Sequence, residues 1–292
     1  TTRGSDGTVK KTETFYSGNE GEEKAAKTYN YNYAGTDVKT TTAFTYTAET
    51  LTGSVTVKGL DGTIKKSETF YSGAQGEEKA QKTYNYNYAG TLVKTTTTFS
   101  YTADILAKSI TYKNQDGTVR KSETFYSGNE GEEKAQKTYN YNYAGTVVKT
   151  TTTFGYTADV LTNSVTYRDQ DGTVRSSETL YTGNEGEEKA QKTYNYNYAG
   201  TMVKTTTLFT YTADVLTNSV TYKNQDGTVR KSETLYTGAE AEEKASKTYN
   251  YNAAGTGVTT TTVFTYTADA LTRSVTTRGS DGTVKKTETF YS

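Results

Sequence analysis

The chain reads as an all-β protein, an elongated tandem array of antiparallel strands, solenoid-like or a spiralling meander, with about four strands per 55-residue repeat. Three observations carry this. The stretch TYNYNYAGT starts at Thr28, Thr83, Thr138 and Thr193 and returns as TYNYNAAGT at Thr248, always 55 residues on. A fixed period of that order marks an array of stacked units. The segments between turns are rich in Thr, Val and Tyr, which prefer the pleated surface to a helix. Turns bearing glycine recur about every ten to fifteen residues with no proline, which suits antiparallel neighbours on short connections.

Thr111 to Val165 serves as the representative unit. Its first strand is predicted over Thr118–Ser127 and is followed by the acidic loop Gly128–Glu133. The second, Lys134–Tyr143, alternates Tyr139, Tyr141 and Tyr143 on one face with Asn140 and Asn142 on the other. Ala144-Gly145-Thr146 turns the chain into the third, Val147–Thr157, where Val148, Thr150, Thr152, Phe154 and Tyr156 alternate with Lys149 and Thr151. The fourth, Leu161–Arg168, follows Thr157-Ala158-Asp159, and Asp169 to Gly172 closes the unit. The segment GEEKAQK is read as extended or loop, being too short before the Tyr run for a helix. One continuous array is expected, with units 1–55, 56–110, 111–165, 166–220, 221–275 and a partial sixth, 276–292. Residues 1–17 repeat at 276–292, so the chain is expected to be a window of a longer array.

Composition narrows the function. Apolar residues are 32% of the 292, with 28 Tyr, 9 Phe and no Trp, so a thin core of Tyr, Val, Leu and Phe is expected. Lys plus Arg and Asp plus Glu are 33 each. That balance argues against nucleic acid or an anionic membrane as partner and removes the repulsion that opposes self-association. Without cysteine or histidine there is no thiol chemistry and neither the commonest metal ligand nor the commonest general base. No run approaches the ~20 apolar residues of a membrane span, and the opening residues do not read as a signal peptide.

Residues Tyr84 to Leu92, YNYNYAGTL, carry a family resemblance. They resemble the YD repeat of RHS-type proteins, Tyr-x-Tyr-Asp-x-x-Gly-x-Leu: Tyr84, Tyr86, Gly90 and Leu92 fit, and Asn87 stands at the signature Asp. Phe99 to Thr111, with Tyr101, Asp104 and Leu106, resembles a degenerate second copy. The resemblance implies a long secreted or surface-exposed β-sheet, which in RHS proteins encloses a toxin.

Other motifs have simpler readings. Asp169 and Asp171 in DQDGT are weak calcium candidates, because carboxylates at alternate positions supply oxygen ligands. The counterparts Asn114, Asn224, Gly4, Gly59 and Gly279 break that pattern, and Asp-Gly is a standard hairpin turn. Glu130, Glu132 and Glu133 read as a solvated loop balanced by Lys134 and Lys137. Lys121 and Glu123 are candidates for cross-strand ion pairs or, equally, for an exposed face. Paired carboxylates of glycosidase type need a desolvated pocket, which an array of equal units rarely builds.

Tyr29, Tyr31, Tyr84, Tyr86, Tyr139, Tyr141, Tyr194, Tyr196, Tyr249 and Tyr251 are expected to form a structural seam. The competing reading is a stacking platform for sugars. Outward Thr residues are candidates for O-linked sugars, and no Asn-x-Ser/Thr sequon exists. The function expected is a non-catalytic structural protein, without cofactor or resident metal, forming a filament from copies of itself outside the cell or on its surface. An adhesin or carbohydrate-binding stalk, or a fragment of a YD-type toxin shell, are the alternatives.

Overall fold

A computed structural model describes residues 2–3, 9–32, 34–240, 242–267 and 270–291; Gly4 and Tyr33 lie outside them. The chain divides into two compact units, 1–149 and 150–292. The first holds β1 (Thr2–Arg3), β2 (Lys10–Ser17), β3 (Lys24–Tyr31), β4 (Val38–Thr47), β5 (Thr50–Lys58), β6 (Lys65–Ser72), β7 (Lys79–Tyr86), β8 (Val93–Thr102), β9 (Ile105–Tyr112), β10 (Arg120–Ser127) and β11 (Lys134–Tyr141). In the second are β12 (Val148–Thr157), β13 (Val160–Tyr167), β14 (Arg175–Thr182), β15 (Lys189–Tyr196), β16 (Val203–Thr212), β17 (Val215–Tyr222), β18 (Arg230–Thr237), β19 (Lys244–Tyr251), β20 (Val258–Thr267), β21 (Ala270–Arg278) and β22 (Val284–Phe290).

The protein is all-β, four strands to the repeat, and within each unit the strands form an antiparallel meander. β6 pairs with β7, β7 with β8, β8 with β9 and β9 with β10. The second unit repeats this from β14 to β18. Within a unit, each strand touches only its neighbours in the chain.

The turn chemistry explains the strand ends. The third and fourth strands of a repeat join through two residues that both have positive φ, as at Ala103 (47°) and Asp104 (69°). This is the type I′ geometry whose twist matches a hairpin. Each of the pairings named above also carries a bulge, such as the shift between Ser100 and Tyr101, which adds local twist.

Register divides the side chains between two faces. On one, threonine hydroxyls meet across the strands: Thr69 with Thr83, Thr97 with Thr111 and Thr179 with Thr193, each at 2.9 Å. The first members of successive pairs, Thr69, Thr97 and Thr124, lie 28 and then 27 residues apart. The 55-residue repeat is therefore two similar hairpins in tandem. The other face carries Glu68, Phe70, Lys82 and Tyr84, paired directly across β6 and β7.

The expected thin core of Tyr, Val, Leu and Phe is corrected. Among the described residues Val165, 8% exposed, is the one buried hydrophobic. The buried places instead go to Thr41, Thr96, Thr151, Thr206 and Thr261, and to a serine in each repeat such as Ser109. No second layer covers the strands within a unit, so a side chain is buried only where a turn or a long neighbour folds over it. Thr151, assigned to the polar side of its strand by alternation, is 1% exposed because the closing turn folds back to it. Its hydroxyl donates to the Asp169 carbonyl at 2.8 Å.

Candidate functional site

The recurring constellations are the candidates, and each is built from adjacent strands. The first centres on Glu123 in β10, opposite Tyr139 in β11. Tyr141, two residues beyond Tyr139, donates its hydroxyl to Glu123 Oε2 at 2.8 Å. Lys108 Nζ from β9 lies 3.1 Å from Glu123 Oε1. Arg120 donates to the Tyr141 hydroxyl at 3.3 Å and stands 3.9 Å from Glu123. Glu123 is only 7% exposed. Burial disfavours its charge, and the Tyr141 hydroxyl with Lys108 and Arg120 outweighs burial, so the carboxyl stays below its ordinary value. Burial, then Glu123, pushes the Tyr141 phenol up, so it remains a proton donor. The contact recurs as Tyr31–Glu13 (2.7 Å), Tyr86–Glu68 (2.8 Å), Tyr196–Glu178 (2.9 Å) and Tyr251–Glu233 (2.8 Å).

The other tyrosines of the expected seam pack within their own unit. Tyr29, Tyr84 and Tyr139 meet the ring edges of Phe15, Phe70 and Phe125, with centroids 5.1, 5.6 and 5.6 Å apart. Lys192 lies over Tyr194, and Lys247 over Tyr249.

The second constellation is the turn after each Tyr strand. Asn87 Oδ1 accepts the backbone amides of Thr91 (2.9 Å) and Leu92 (3.2 Å), while the Asn87 backbone N–H donates to the Leu92 carbonyl at 2.8 Å. An asparagine thus satisfies the turn at the place where the YD pattern has aspartate. Gly90, at φ 72°, brings the turn onto β6, where a Cβ would lie 2.6 Å from the Lys65 amide nitrogen. The strand ends at Tyr86, so the third tyrosine does not extend the Tyr face: Tyr143 sits in the turn, 93% exposed. Lys113 reaches the carbonyls of Asn142 (2.9 Å) and Tyr143 (2.8 Å) from the preceding closing turn.

The second copy of this turn lies elsewhere than the sequence placed it. Tyr101 to Leu106 is the two-residue hairpin. The matching geometry is in the closing turn, where Asn114 Oδ1 accepts the Val119 amide (3.2 Å) and Gly117 has φ 72°. In the next repeat Asp169 fills that place, taking the Thr173 and Val174 amides at 3.1 and 3.3 Å as well as the Thr173 hydroxyl. The calcium candidate therefore uses its oxygens to hold its own turn. That hydroxyl, chief among these donors, holds the carboxyl below its ordinary value. Among the described residues no three acidic side chains gather as a metal site.

The third constellation corrects the reading of the acidic loop as merely solvated. Glu133 Oε1 accepts the Leu106 amide at 2.9 Å and its other oxygen accepts Gly131 N–H at 3.1 Å, clasping one repeat to the next. Glu78 with Leu51, Glu188 with Leu161 and Glu243 with Leu216 repeat it. Lys79 bridges Asp104 (3.0 Å) and Glu130 (2.7 Å) beside it. Sequence reasoning missed this clasp, because both Glu of GEE or AEE are invariant and nothing in the sequence singles out the second. A shallow recess of about 610 Å³ is lined by Lys82, Tyr84, Asn114, Gln115 and Asp116.

No protein-family model matches the chain, and no curated protein matches it. Among solved structures the chain is similar to TcdB2-TccC3, at 14% identity over 86% of this chain and 15% of that one, with a TM-score of 0.32. For TcdB2-TccC3-TEV the values are 11%, 94%, 15% and 0.34. A porin-like protein from Bacteroides uniformis is 14% identical over 81% of this chain and 88% of its own, with a TM-score of 0.25. The chain thus spans about 15% of the TcdB2-TccC3 chain. These likenesses are weak.

Proposed function

We propose that the chain is a non-catalytic structural scaffold that associates with copies of itself into a filament, outside the cell or on its surface. The observation that carries this reading is the clasp. Glu78, Glu133, Glu188 and Glu243 each bind the leucine amide of the preceding repeat at 2.9–3.0 Å. Equal units joined by equal bonds are the construction principle of an extended array. Electron microscopy and sedimentation across a concentration series test the reading. Filaments that lengthen with concentration support it, and compact monomers at every concentration overturn it.

A second reading, a glycan-binding stalk, is favoured by one observation. Tyr88, Tyr143 and Tyr198 are each 88–93% exposed, and an exposed ring face is a stacking platform for a sugar. A glycan array probed with the chain and with its triple Tyr→Ser variant at those positions separates the two readings. A scaffold alone binds no sugar in either form.

A further inference from the structure

We infer that the hydroxyl-bearing face of each unit is the surface through which two copies of this chain stack, sheet against sheet. The inference rests on the scaffold reading above and specifies the surface it uses. The repeats supply their own comparison. At the places of Thr69, Thr83, Asn85, Thr97, Phe99 and Ser109, all on this face, the five repeats carry the same residue. The opposite face keeps Glu68, Lys82, Tyr84 and Thr96 but varies elsewhere. The place of Thr98 is taken by Ala43, Thr153, Leu208 and Val263, and that of Lys108 by Gly53, Asn163, Asn218 and Arg273. Phe70 becomes Leu180 and Leu235. Both faces lie on the same backbone and share the same copying history, so the difference is one of constraint on side chains. Cross-strand bonds hold Thr69, Thr83, Asn85, Thr97 and Ser109 on this face, yet Phe99, whose ring has no hydrogen bond to make, is equally constant.

Charge points to the occupant. Between its bulges the hydroxyl face of β6–β9 carries no charged side chain, whereas the other face carries Glu68, Lys82 and Lys108. Two hydroxyl faces can therefore meet without like charges being brought together, and identical repeats let them meet at any 55-residue offset. The area is sufficient. The ten strands β2–β11, about eight residues long at roughly 3.3 Å per residue and 4.8 Å apart, present about 1,250 Å² per face. A stable interface needs about 800 Å² per partner.

The test places charge on exposed residues of one face at a time. The variant Asn85→Asp with Asn250→Asp marks the hydroxyl face, and Ser100→Asp with Thr265→Asp marks the other. Sedimentation velocity across a concentration series should show the first variant shifting its association midpoint upward by at least about tenfold, with the second matching wild type. The uncharged Asn85→Ser with Asn250→Ser should also match wild type, which separates charge from lost structure, and circular dichroism checks the fold of each. Equal association of wild type and the hydroxyl-face variant overturns this inference and leaves the scaffold reading standing. A wild-type chain that is monomeric at every concentration overturns both.

Discussion

Tyr141 donates its hydroxyl to Glu123 at 2.8 Å, and Arg120 in turn donates to that hydroxyl at 3.3 Å. In a sheet with no second layer over it, such a polar contact does the work a hydrophobic core does elsewhere. It lets a carboxylate be 7% exposed without being orphaned. Removing Tyr141 by Tyr141→Phe is expected to cost about 1 kcal/mol. Glu123→Ala, which leaves the Tyr141 hydroxyl without its acceptor while water takes up the half-exposed Lys108 and Arg120, is expected to cost about 2 kcal/mol. Urea denaturation of both single variants and the double variant measures the coupling. Purely additive effects would show that the contact is incidental.

Glycine positions separate into two kinds. Gly145 has φ 74°, and a Cβ there would sit 2.6 Å from the Arg120 amide nitrogen; Gly131 has φ 80° with nothing within 4 Å. Gly131→Ala therefore costs only the left-handed conformation, about 1 kcal/mol. Gly145→Ala adds a collision with backbone that cannot step aside, and is expected to cost at least about 2 kcal/mol. The fifth repeat has Ala241 where Gly131 stands in the third, and keeps Gly255 where Gly145 stands. Equal losses of thermal stability in the two variants would contradict this account.

The fold was readable because period and alternation are local properties. Strand ends come within two residues of those expected: the second strand of the third repeat stops at Tyr141 instead of Tyr143, and the fourth starts at Val160 instead of Leu161. Three things were not readable. Alternation assumes an unbroken pleat, so the bulges that reset it and the burial of Thr151 escaped it. The second turn copy was misplaced because Tyr101 and Asp104 mimic the motif while the geometry is made by Asn114 and Gly117. The Glu133–Leu106 clasp joins residues 27 apart in sequence, and one strand pattern does not reveal such a contact.

The third tyrosine offers a cleaner separation of side chain from backbone. Tyr143 is exposed, and Lys113 holds the turn through the Asn142 and Tyr143 carbonyls. In the fifth repeat Lys223 makes the same bonds to Asn252 and Ala253, both at 2.8 Å, without any ring. Tyr143→Ala is therefore expected to change stability by less than about 0.5 kcal/mol. Lys113→Met, which removes the donor but keeps the length, should speed amide exchange in residues 142–147. A larger effect from the tyrosine than from the lysine would contradict this.

The clasp makes stability depend on pH with a definite sign. The Leu106 amide first, with the amides of Glu133 itself and Gly131, holds the Glu133 carboxyl below its ordinary value of 4.5. The unfolded chain thus takes up a proton at higher pH than the folded one does. The contribution is complete above about pH 4.5 and is lost as the pH falls through the depressed folded value. Glu78 is held down in the same way by Leu51, so the loss is shared along the array. Glu133→Ala should lower the urea midpoint at pH 7, and the gap from wild type should close in acid, once the pH lies below the depressed folded value. A gap of the same size at both pH values would mean that the carboxylate charge is not what clasps the repeats.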